Sequence, residues 1–304
     1  MIKSITVENY LGDTVVFELI NPEKSGFIVE EVTGLGSGKA DINTTEISTN
    51  DGSLFNSSRV PSRNIVLSLK FLWNKTIEET RHLSYKYFPI KKKVKLIVET
   101  DNRLAEIEGY VESNDPTIFS GEEGSDISII CPNPFFYSSG PNGTNTTLLS
   151  NVEPNFEFPF SNESLTAKLL EMSIMNSDTE KVVTYDGDSE VGVTITIHAT
   201  GPAKNITIYK IDTAETMRID TDKMEALTGS GIIARDDIII STIKGSKSVT
   251  LLRSGKTYNI LNCLDKNADW FQLSKGDNQF AFRAESGDSN LQFKIENKIV
   301  YEGV

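Results

Sequence analysis

The stretch Cys131-Pro132-Asn133-Pro134-Phe135-Phe136-Tyr137 decides how the chain is divided. A proline has no backbone N–H and forces extended geometry on the residue before it, so two prolines one residue apart stop any helix or central strand here. Three aromatic rings follow, and rings of this size are costly to leave in water. We therefore interpret the stretch as a hinge packed between two domains, formed by Pro132, Pro134, Phe135, Phe136 and Tyr137.

The residues after the hinge predict a linker, because Ser138–Thr147 consists of turn and loop formers. A length of 304 residues favours two domains. We predict a first domain over residues 1–137, a linker over residues 138–153 and a second domain over residues 154–304. One alternative stays open, in which the last strand, ending Ile299–Glu302, returns to the first domain.

Upstream of the hinge, short alternating segments predict a β-sandwich that contains one helix. In Asn64–Phe71 the apolar residues share one face of a strand, since side chains alternate along a strand. The helix follows: Thr76 and Glu79 have the spacing of a capping box, and Pro89 ends the helix.

A polar segment interrupts this domain and predicts a projecting β-hairpin arm. It starts within the glycine-rich Gly34–Gly38 and runs from Gly36 to Arg63, with the turn signal Asn50-Asp51-Gly52 near its centre. The alternative is a disordered loop, but the central turn favours the arm. The apolar residues of the arm are the candidate anchors at an interface between copies of the chain: Leu35, Ile42, Ile47, Leu54 and Phe55.

Downstream of the linker, the second domain is predicted to be all strand. Residues Val191–Thr200 alternate apolar and polar side chains with a period of two, and glycine and aspartate turns separate this run from shorter ones. Many short strands with one apolar face are typical of an antiparallel β-sandwich. The fold class is therefore mainly β in both domains.

The charge distribution argues against nucleic-acid and membrane partners. The net charge is −13, whereas a phosphate-binding surface needs a clustered positive face. The one lysine-rich run, Lys91-Lys92-Lys93-Val94-Lys95, is more simply a solvated strand entrance. No run approaches the length of a membrane span, and the first residues lack the apolar region of a signal peptide. We expect the chain to fold in a cytoplasm.

The sequence offers no signature of catalysis, of a cofactor or of a metal. Its two histidines, His82 and His198, lie outside any H-E-x-x-H motif, and no nucleophile elbow occurs. The loop Gly34–Lys39 lacks the spacing of a phosphate loop. Trp270 and Phe271 are candidates for a sugar-stacking platform, with the domain core as the simpler interpretation. We expect a protein that is not an enzyme and has no catalytic, metal or cofactor-binding residues.

Several motifs, in order, resemble the distal tail protein (Dit) family of long-tailed bacteriophages, which also occurs in prophages and tailocins. In the first domain they are Arg63-x-Ile65-x-Leu67-x-Leu69, Phe88-Pro89 and Cys131-Pro132-Asn133-Pro134-Phe135-Phe136-Tyr137. In the second domain they are Tyr185-Asp186-Gly187-Asp188, Thr242-Ile243-Lys244-Gly245 and Trp270-Phe271-Gln272-Leu273. Together they span nearly the whole chain.

The resemblance implies a structural virion component of the tail and baseplate, assembled in the bacterial cytoplasm. Such proteins are implied to form a homohexameric ring that joins the tail tube protein to the tail-tip hub or tail-associated protein. The ring also anchors receptor-binding or side-fibre proteins in host attachment. The second domain often resembles a galectin-like or jelly-roll sandwich. The alternative is a carbohydrate-binding accessory protein that contacts the host cell wall through this sandwich.

Overall fold

The computed structural model describes residues 1–48, 51–72, 76–119, 121–148, 151–154, 173–176 and 180–304. Antiparallel strands dominate it, which confirms the mainly β fold class. The chain forms two compact units. The first comprises Met1–Gly143 together with Val300–Val304, and the second comprises Thr144–Ile299.

The first unit is one antiparallel sheet system with a helix and a separate hairpin. Its elements are β1 (Ile2–Asn9), β2 (Thr14–Glu18), β3 (Phe27–Thr33), β4 (Asp41–Glu46), β5 (Ser53–Arg59), β6 (Arg63–Phe71), α1 (Ile77–Tyr87), β7 (Lys93–Thr100), β8 (Leu104–Pro116), β9 (Gly124–Cys131) and β10 (Phe136–Ser138).

The strand order of this sheet is β2-β1-β7-β8-β9-β6-β3. The long strand β8 joins its two halves, because residues 104–110 pair with β7 and residues 110–116 pair with β9. Alternation along the strands sends one apolar set inward, so that Val7, Leu67, Val98 and Ile129 are fully buried. A single core cluster therefore holds both halves together.

Helix α1 begins and ends where the sequence predicts. The amide of Glu79 donates to Thr76 Oγ1 at 3.3 Å, and the amide of Thr76 donates to Glu79 Oε2 at 3.4 Å, which completes the capping box. The helix ends before Phe88, whose ring is 1% exposed and stacks on Phe17 with centroids 6.2 Å apart. Pro89 then prevents further helix.

In its described residues, the second unit contains two larger antiparallel sheets and one short α-helix. Its elements are β11 (Thr144–Leu148), β12 (Asn151–Pro154), β13 (Ser173–Asn176), β14 (Glu180–Tyr185), β15 (Val191–Gly192), β16 (Thr194–Ala199), β17 (Lys204–Lys210), β18 (Glu215–Ile219), α2 (Thr221–Thr228), β19 (Asp237–Ser241), β20 (Ser248–Arg253), β21 (Lys256–Asn259), β22 (Gln272–Leu273), β23 (Gly276–Ser286) and β24 (Leu291–Lys298).

The two larger sheets have the orders β11-β24-β16-β19-β20-β21 and β14-β23-β17-β18. Their inward apolar faces form a common core, in which Phe282 on β23 stacks on Phe293 on β24 with centroids 3.6 Å apart. This agrees with the predicted antiparallel sandwich.

Helix α2 corrects the expectation that the second domain is all strand. The side chain of Asp220 accepts hydrogen bonds from the amides of Asp222 and Lys223 and so caps the first turn. Gly229 ends the helix in the left-handed conformation, with φ of 84°. The segment lies between β18 and β19, where the sequence shows no strong apolar alternation.

The hinge residues belong to the sheet of the first unit. After Cys131, the strand β10 pairs with β8 and also with a final strand, β25 (Val300–Tyr301). Val300 is 2% exposed, and Phe136 is completely buried. The open alternative is therefore settled, since residues 300–304 return to the first unit rather than remaining in the second.

The predicted linker over residues 138–153 is shorter in the structure. Ser138 lies in β10 and Thr144–Leu148 forms β11, which pairs with β24. The turn between them spans only residues 139–143, in which Gly140, Pro141 and Asn142 are exposed. Residues 149 and 150 lie outside the described part of the chain.

One side chain, Arg63, holds four backbone carbonyls at the point where the arm leaves the sheet. Its Nε donates to Pro134 O at 2.7 Å, its Nη1 to Gly34 O at 2.7 Å and Gly36 O at 2.5 Å, and its Nη2 to Glu302 O at 2.5 Å. The guanidinium lies 4.9 Å from the centroid of the Phe136 ring. Arg63 is only 7% exposed, so these bonds are made away from water.

Residues 300–304 complete this arrangement, which we call the arm root. The amide of Val304 donates to Leu35 O at 3.0 Å, and Arg103 lies 4.5 Å from the centroid of the Tyr301 ring. A Cβ on Gly303 would approach the backbone of Gly36 to 2.8 Å, so this position requires glycine. The last strand and the start of the arm are thus in direct backbone contact.

Replacing Arg63 is expected to destabilise the first unit strongly. In Arg63→Lys a single ammonium group replaces the planar fork and leaves buried carbonyls without donors, at a cost of about 1–3 kcal/mol for each unsatisfied group. We expect urea denaturation followed by circular dichroism to show a loss of ~3 kcal/mol in the free energy of unfolding. The matched control is Arg59→Lys, whose side chain is 80% exposed; equal stability of the two variants would contradict the assigned role.

Cleavage of the turn at residues 139–143 is expected to leave two fragments that stay together. Cleavage at a specific protease site inserted between Pro141 and Asn142 breaks the chain covalently, but Val300 and Tyr301 of the second fragment remain paired with β10. The fragments should co-elute in gel filtration, whereas those of a variant ending at Ile299 should separate. Separation of the fragments of the full chain would show that β25 does not hold them, and co-elution in the shortened variant would assign the attachment to other contacts.

Candidate assembly interface

The predicted arm is a two-stranded hairpin that pairs with no other described strand. β4 and β5 are antiparallel, with Asp41 opposite Arg59 and Glu46 opposite Ser53, and a bulge lies between Asn43 and Thr44. Every residue of both strands is exposed. The turn residue Asn50 lies outside the described residues, whereas Gly52 has the φ of 90° that a tight turn demands.

The arm has apolar side chains on both faces. Cross-strand partners share a face, so the register places Ile42 and Phe55 on one face and Leu54 on the other. Ile42 and Phe55 are both 65% exposed, and Leu54 is 58% exposed. Ile47, just after β4, is 36% exposed. A hairpin that rested on its own sheet would bury one of these faces.

Leu35 is the exception among the predicted anchors. It is 7% exposed and belongs to the core cluster of the first unit, where its carbonyl accepts from Val304. Its backbone neighbour Gly34 has φ of 84°, and a Cβ there would lie 2.2 Å from Asn64 O. The chain is thus clamped at this point, and Leu35 anchors the arm to its own sheet instead of to another copy.

A cleft of about 370 Å³ opens at the arm root. The glycine-rich segment from Gly34 to Lys39 forms one wall, and Val60 to Asn64 together with Pro134 form the other. The glycine-rich segment, which in sequence suggests a phosphate loop, here supplies carbonyls to Arg63. The carbonyls of Gly34 and Gly36 thus bind the guanidinium of Arg63, and the segment joins the strand to the arm.

The hinge residues are held by local polar contacts as well as by pairing. The Pro134 carbonyl accepts from Arg63 Nε, and the Asn133 side chain both donates to Tyr137 Oη at 2.7 Å and accepts from the Phe135 amide at 3.2 Å. Pro132 follows the end of β9 directly. The two prolines thus end β9 and turn the chain into β10.

Burial governs the electrostatics of the arm root. Desolvation lowers the pKa of Arg63, opposed by the neighbouring Cys131 and Glu302. Burial also raises the pKa of the Cys131 thiol to about 11, opposed by Arg63. The thiol therefore stays protonated at neutral pH and is a poor nucleophile.

The residues considered for chemistry are dispersed. His82 lies 3.7 Å from Glu78 on α1, and His198 Nδ1 lies 2.6 Å from Asp237 Oδ1 on a strand of the second unit. Among the described residues, no group of three or more histidines, cysteines or carboxylates is placed to hold a metal. Neither described helix is long and apolar enough to cross a membrane.

The sugar platform suggested by Trp270 and Phe271 does not form. Phe271 is completely buried and packs edge-on against Phe280 with centroids 5.7 Å apart. Asn278 is 2% exposed, and its side chain bonds to the backbone of the turn at Ser274 and Gly276. These residues serve the core and the turn of the second unit.

Sequence analysis named Arg63 as the end of the arm and as the first residue of a motif, but not as a residue that joins distant segments. The sequence did indicate that Arg63 is buried. Side chains alternate along a strand, so Arg63 lies on the same inward face as Ile65, Leu67 and Leu69. A charged residue on the inward face of a strand needs partners. The partners themselves lie far away in sequence, at residues 34–36, 134 and 302.

Comparisons with known proteins show a family domain and a fold that the chain resembles. Residues 186–296 match the family model of the siphovirus-type tail component, C-terminal domain. The crystal structure of the Dit protein of phage SPP1, described as a paradigm of the hub adsorption apparatus in phages that infect Gram-positive bacteria, aligns with a TM-score of 0.66 and 13% identity. It covers 97% of this chain and 98% of that chain.

Two structures of the phage P2 baseplate in its activated conformation also align, each at 13% identity. The one with calcium has a TM-score of 0.54 and covers 98% of both chains. The one with strontium has a TM-score of 0.53 and covers 97% of both chains. No curated protein sequence matches the chain.

The matched domain and the shared fold agree with the motifs around the hinge. The family model covers residues 186–296 of the second unit, and the structural matches extend over nearly the whole chain. The resemblance to the distal tail family is thereby confirmed at two levels: residues 186–296 match a siphovirus-type tail component domain, and the chain has the fold of the distal tail protein of phage SPP1, which indicates a place in the virion tail.

Proposed function

We propose that this tail component closes into a ring of identical copies through its first unit, with the arm helping to hold the ring. The ring connects the tail tube to the tail-tip hub and anchors receptor-binding or side-fibre proteins. The observation that carries the proposal is the arm, which is exposed on both faces and pairs at neither edge with another strand of the described chain. The number of copies, six, is what the family resemblance implies.

The energetics of the arm favour an external partner. Ordering a residue costs about 1–2 kcal/mol of backbone entropy, and an isolated two-stranded hairpin is marginal in water. The described contacts within the arm are few, such as Asn56 Nδ2 to Thr45 Oγ1 at 2.7 Å and Arg59 Nε to Asp41 Oδ2 at 3.4 Å. A neighbour that covered Leu54 and Phe55 would offset the ordering cost.

A contact between an arm and a different surface of the next copy is a head-to-tail contact. Such contacts close into a ring when the rotation between copies permits, and otherwise give open filaments. The fixed arm root supports closure, because four carbonyls bonded to Arg63 set where the arm starts. The proposed anchors are Ile42, Ile47, Leu54 and Phe55.

Removing the arm is expected to abolish closure without unfolding the first unit. Replacement of residues 37–58 by a short Gly/Ser linker keeps Gly34 and Gly36, and so keeps both carbonyls that bind Arg63 Nη1. We expect light scattering to show loss of the assembled mass, while the free energy of unfolding of the monomer changes little. The double substitution Leu54→Ser with Phe55→Ser should weaken assembly in the same direction.

The matched control for the double substitution is Ser53→Thr with Ser57→Thr, which keeps the surface polar at neighbouring exposed positions. Unchanged assembly of the arm-replaced chain would remove the arm from the proposal. A wild-type chain that stays monomeric at all accessible concentrations would show that closure requires the rest of the tail.

A second candidate function, carbohydrate binding, has one observation in its favour. A cleft of about 500 Å³ lies on the second unit, lined by Tyr209 and Arg283 with Glu180 and Glu215 at its margin. An aromatic ring beside polar side chains is a common surface for sugar recognition. Of the two carboxylates that line the cleft, Glu180 is exposed and Glu215 is half-buried.

We expect neither turnover nor retention when the protein is incubated with bacterial cell-wall preparations. Released reducing sugar and bound glycan are measured in the same samples, with Tyr209→Ala as the matched variant. Sugar release that one Asp or Glu substitution abolishes would make the protein an enzyme. Retention that Tyr209→Ala abolishes would establish the carbohydrate-binding function instead.

A further inference from the structure

A cationic and aromatic surface lies at one end of the sheet of the first unit. We call it the basic patch, formed by Tyr10, Leu11, Ile90, Lys91, Lys92 and Tyr110. The apolar members are 49% to 69% exposed, with Tyr110 at the lower limit and Leu11 at the upper. Both lysines are exposed and, within the described part of the chain, form no ion pair.

Local contacts make this patch a continuous surface. Lys92 Nζ lies 5.3 Å from the centroid of the Tyr10 ring, and the amide of Lys91 donates to Val111 O at 2.9 Å. Lys91 has φ of 64°, an uncommon conformation for a residue with a side chain. The loop between α1 and β7 is therefore held in a defined shape that presents two unpaired cations beside exposed aromatic rings.

A surface of the opposite sign lies on the outer face of β8, β9 and β3. We call it the acidic face, formed by Glu31, Asp115 and Asp126, all exposed. Asp115 and Asp126 are directly opposite on neighbouring strands, and Asp126 and Glu31 both pair with Ser68. Like charges directly opposite destabilise a sheet.

Within the described residues, no cation of the chain pairs with the acidic face. The nearby cation Lys70 binds Glu30 and Glu122, each at 2.6 Å, and none of the ion pairs among the described residues involves the acidic face. Asp115 lies four residues beyond Val111 along β8, about 13 Å at the usual rise of a strand. That separation exceeds the screening length in physiological salt, so Lys91 and Lys92 have little effect on the acidic face of the same copy.

We propose that the basic patch of one copy docks on the acidic face of the next copy. The two surfaces have opposite charge and lie at different places on the same unit, which is the arrangement that a head-to-tail interface needs. Burial of Leu11, Ile90 and the tyrosine rings supplies apolar area, and the lysines select the partner surface. The inference rests on the proposed self-assembly. It adds a second contact between copies, formed by surfaces other than the arm.

The experiment is a charge swap measured by light scattering and sedimentation. One variant carries Lys91→Glu and Lys92→Glu, and the other carries Asp115→Lys and Asp126→Lys. Each alone should raise the Kd of association about tenfold or more at low salt. An equimolar mixture should recover the assembled mass, because every patch then faces an acidic face of opposite charge. The control is Lys266→Glu with Lys275→Glu, the same change in charge on exposed lysines of the second unit.

The outcomes separate this proposal from that of the arm. Assembly lost in the single-surface variants and recovered in the mixture supports the charge contact, whatever the arm-replaced chain does. Assembly unchanged in both variants, or lost and not recovered in the mixture, overturns it while leaving the arm proposal intact. Binding of DNA or anionic vesicles that Lys91→Glu with Lys92→Glu abolishes, with assembly unchanged, would assign the patch to another partner and also overturn it.

Discussion

The buried guanidinium of Arg63 is the constraint on which the arm and its surroundings depend. A planar fork of donors reaches carbonyls at Gly34, Gly36, Pro134 and Glu302, which belong to three segments far apart in sequence. Each carbonyl would be costly to bury without a donor, and the charge would be costly to bury without acceptors. The carbonyls need the guanidinium and the guanidinium needs the carbonyls, so the start of the arm, the hinge and the last strand are fixed together.

This constraint explains how an exposed hairpin has a defined origin. The arm itself contributes little apolar area to its own unit, yet Leu35 is buried at its base and Gly303 lies against the backbone of Gly36. Rigid attachment and an open surface are the combination that presents a binding element without burying it. The acidic face and the basic patch are likewise carried on strands and a fixed loop, so their positions are set by the same sheet.

The sequence predicts most of the local structure and little of the long-range structure. Alternation in Asn64–Phe71 and the capping box at Thr76 are local signals, and both appear as predicted. The partners of Arg63 could not be predicted, because all four acceptors are backbone carbonyls. Every residue type has a backbone carbonyl, so the sequence does not show which residues accept these bonds. Leu35 was assigned to the arm because residues distant in sequence surround it, such as Val304, whose amide donates to the Leu35 carbonyl. Helix α2 was missed because the residues between its caps, Asp220 and Gly229, show no clear helical spacing of apolar side chains.

The return of residues 300–304 to the first unit also sets an order of events during synthesis. Domains generally fold as units while the ribosome extends the chain. Here the first unit lacks β25 and the acceptor at Glu302 until the whole second unit has been translated. A nascent or truncated chain therefore has an incomplete arm root, and only a chain translated past Glu302 presents the arm from its fixed position. Completion of the first unit therefore depends on residues that follow the entire second unit in the chain.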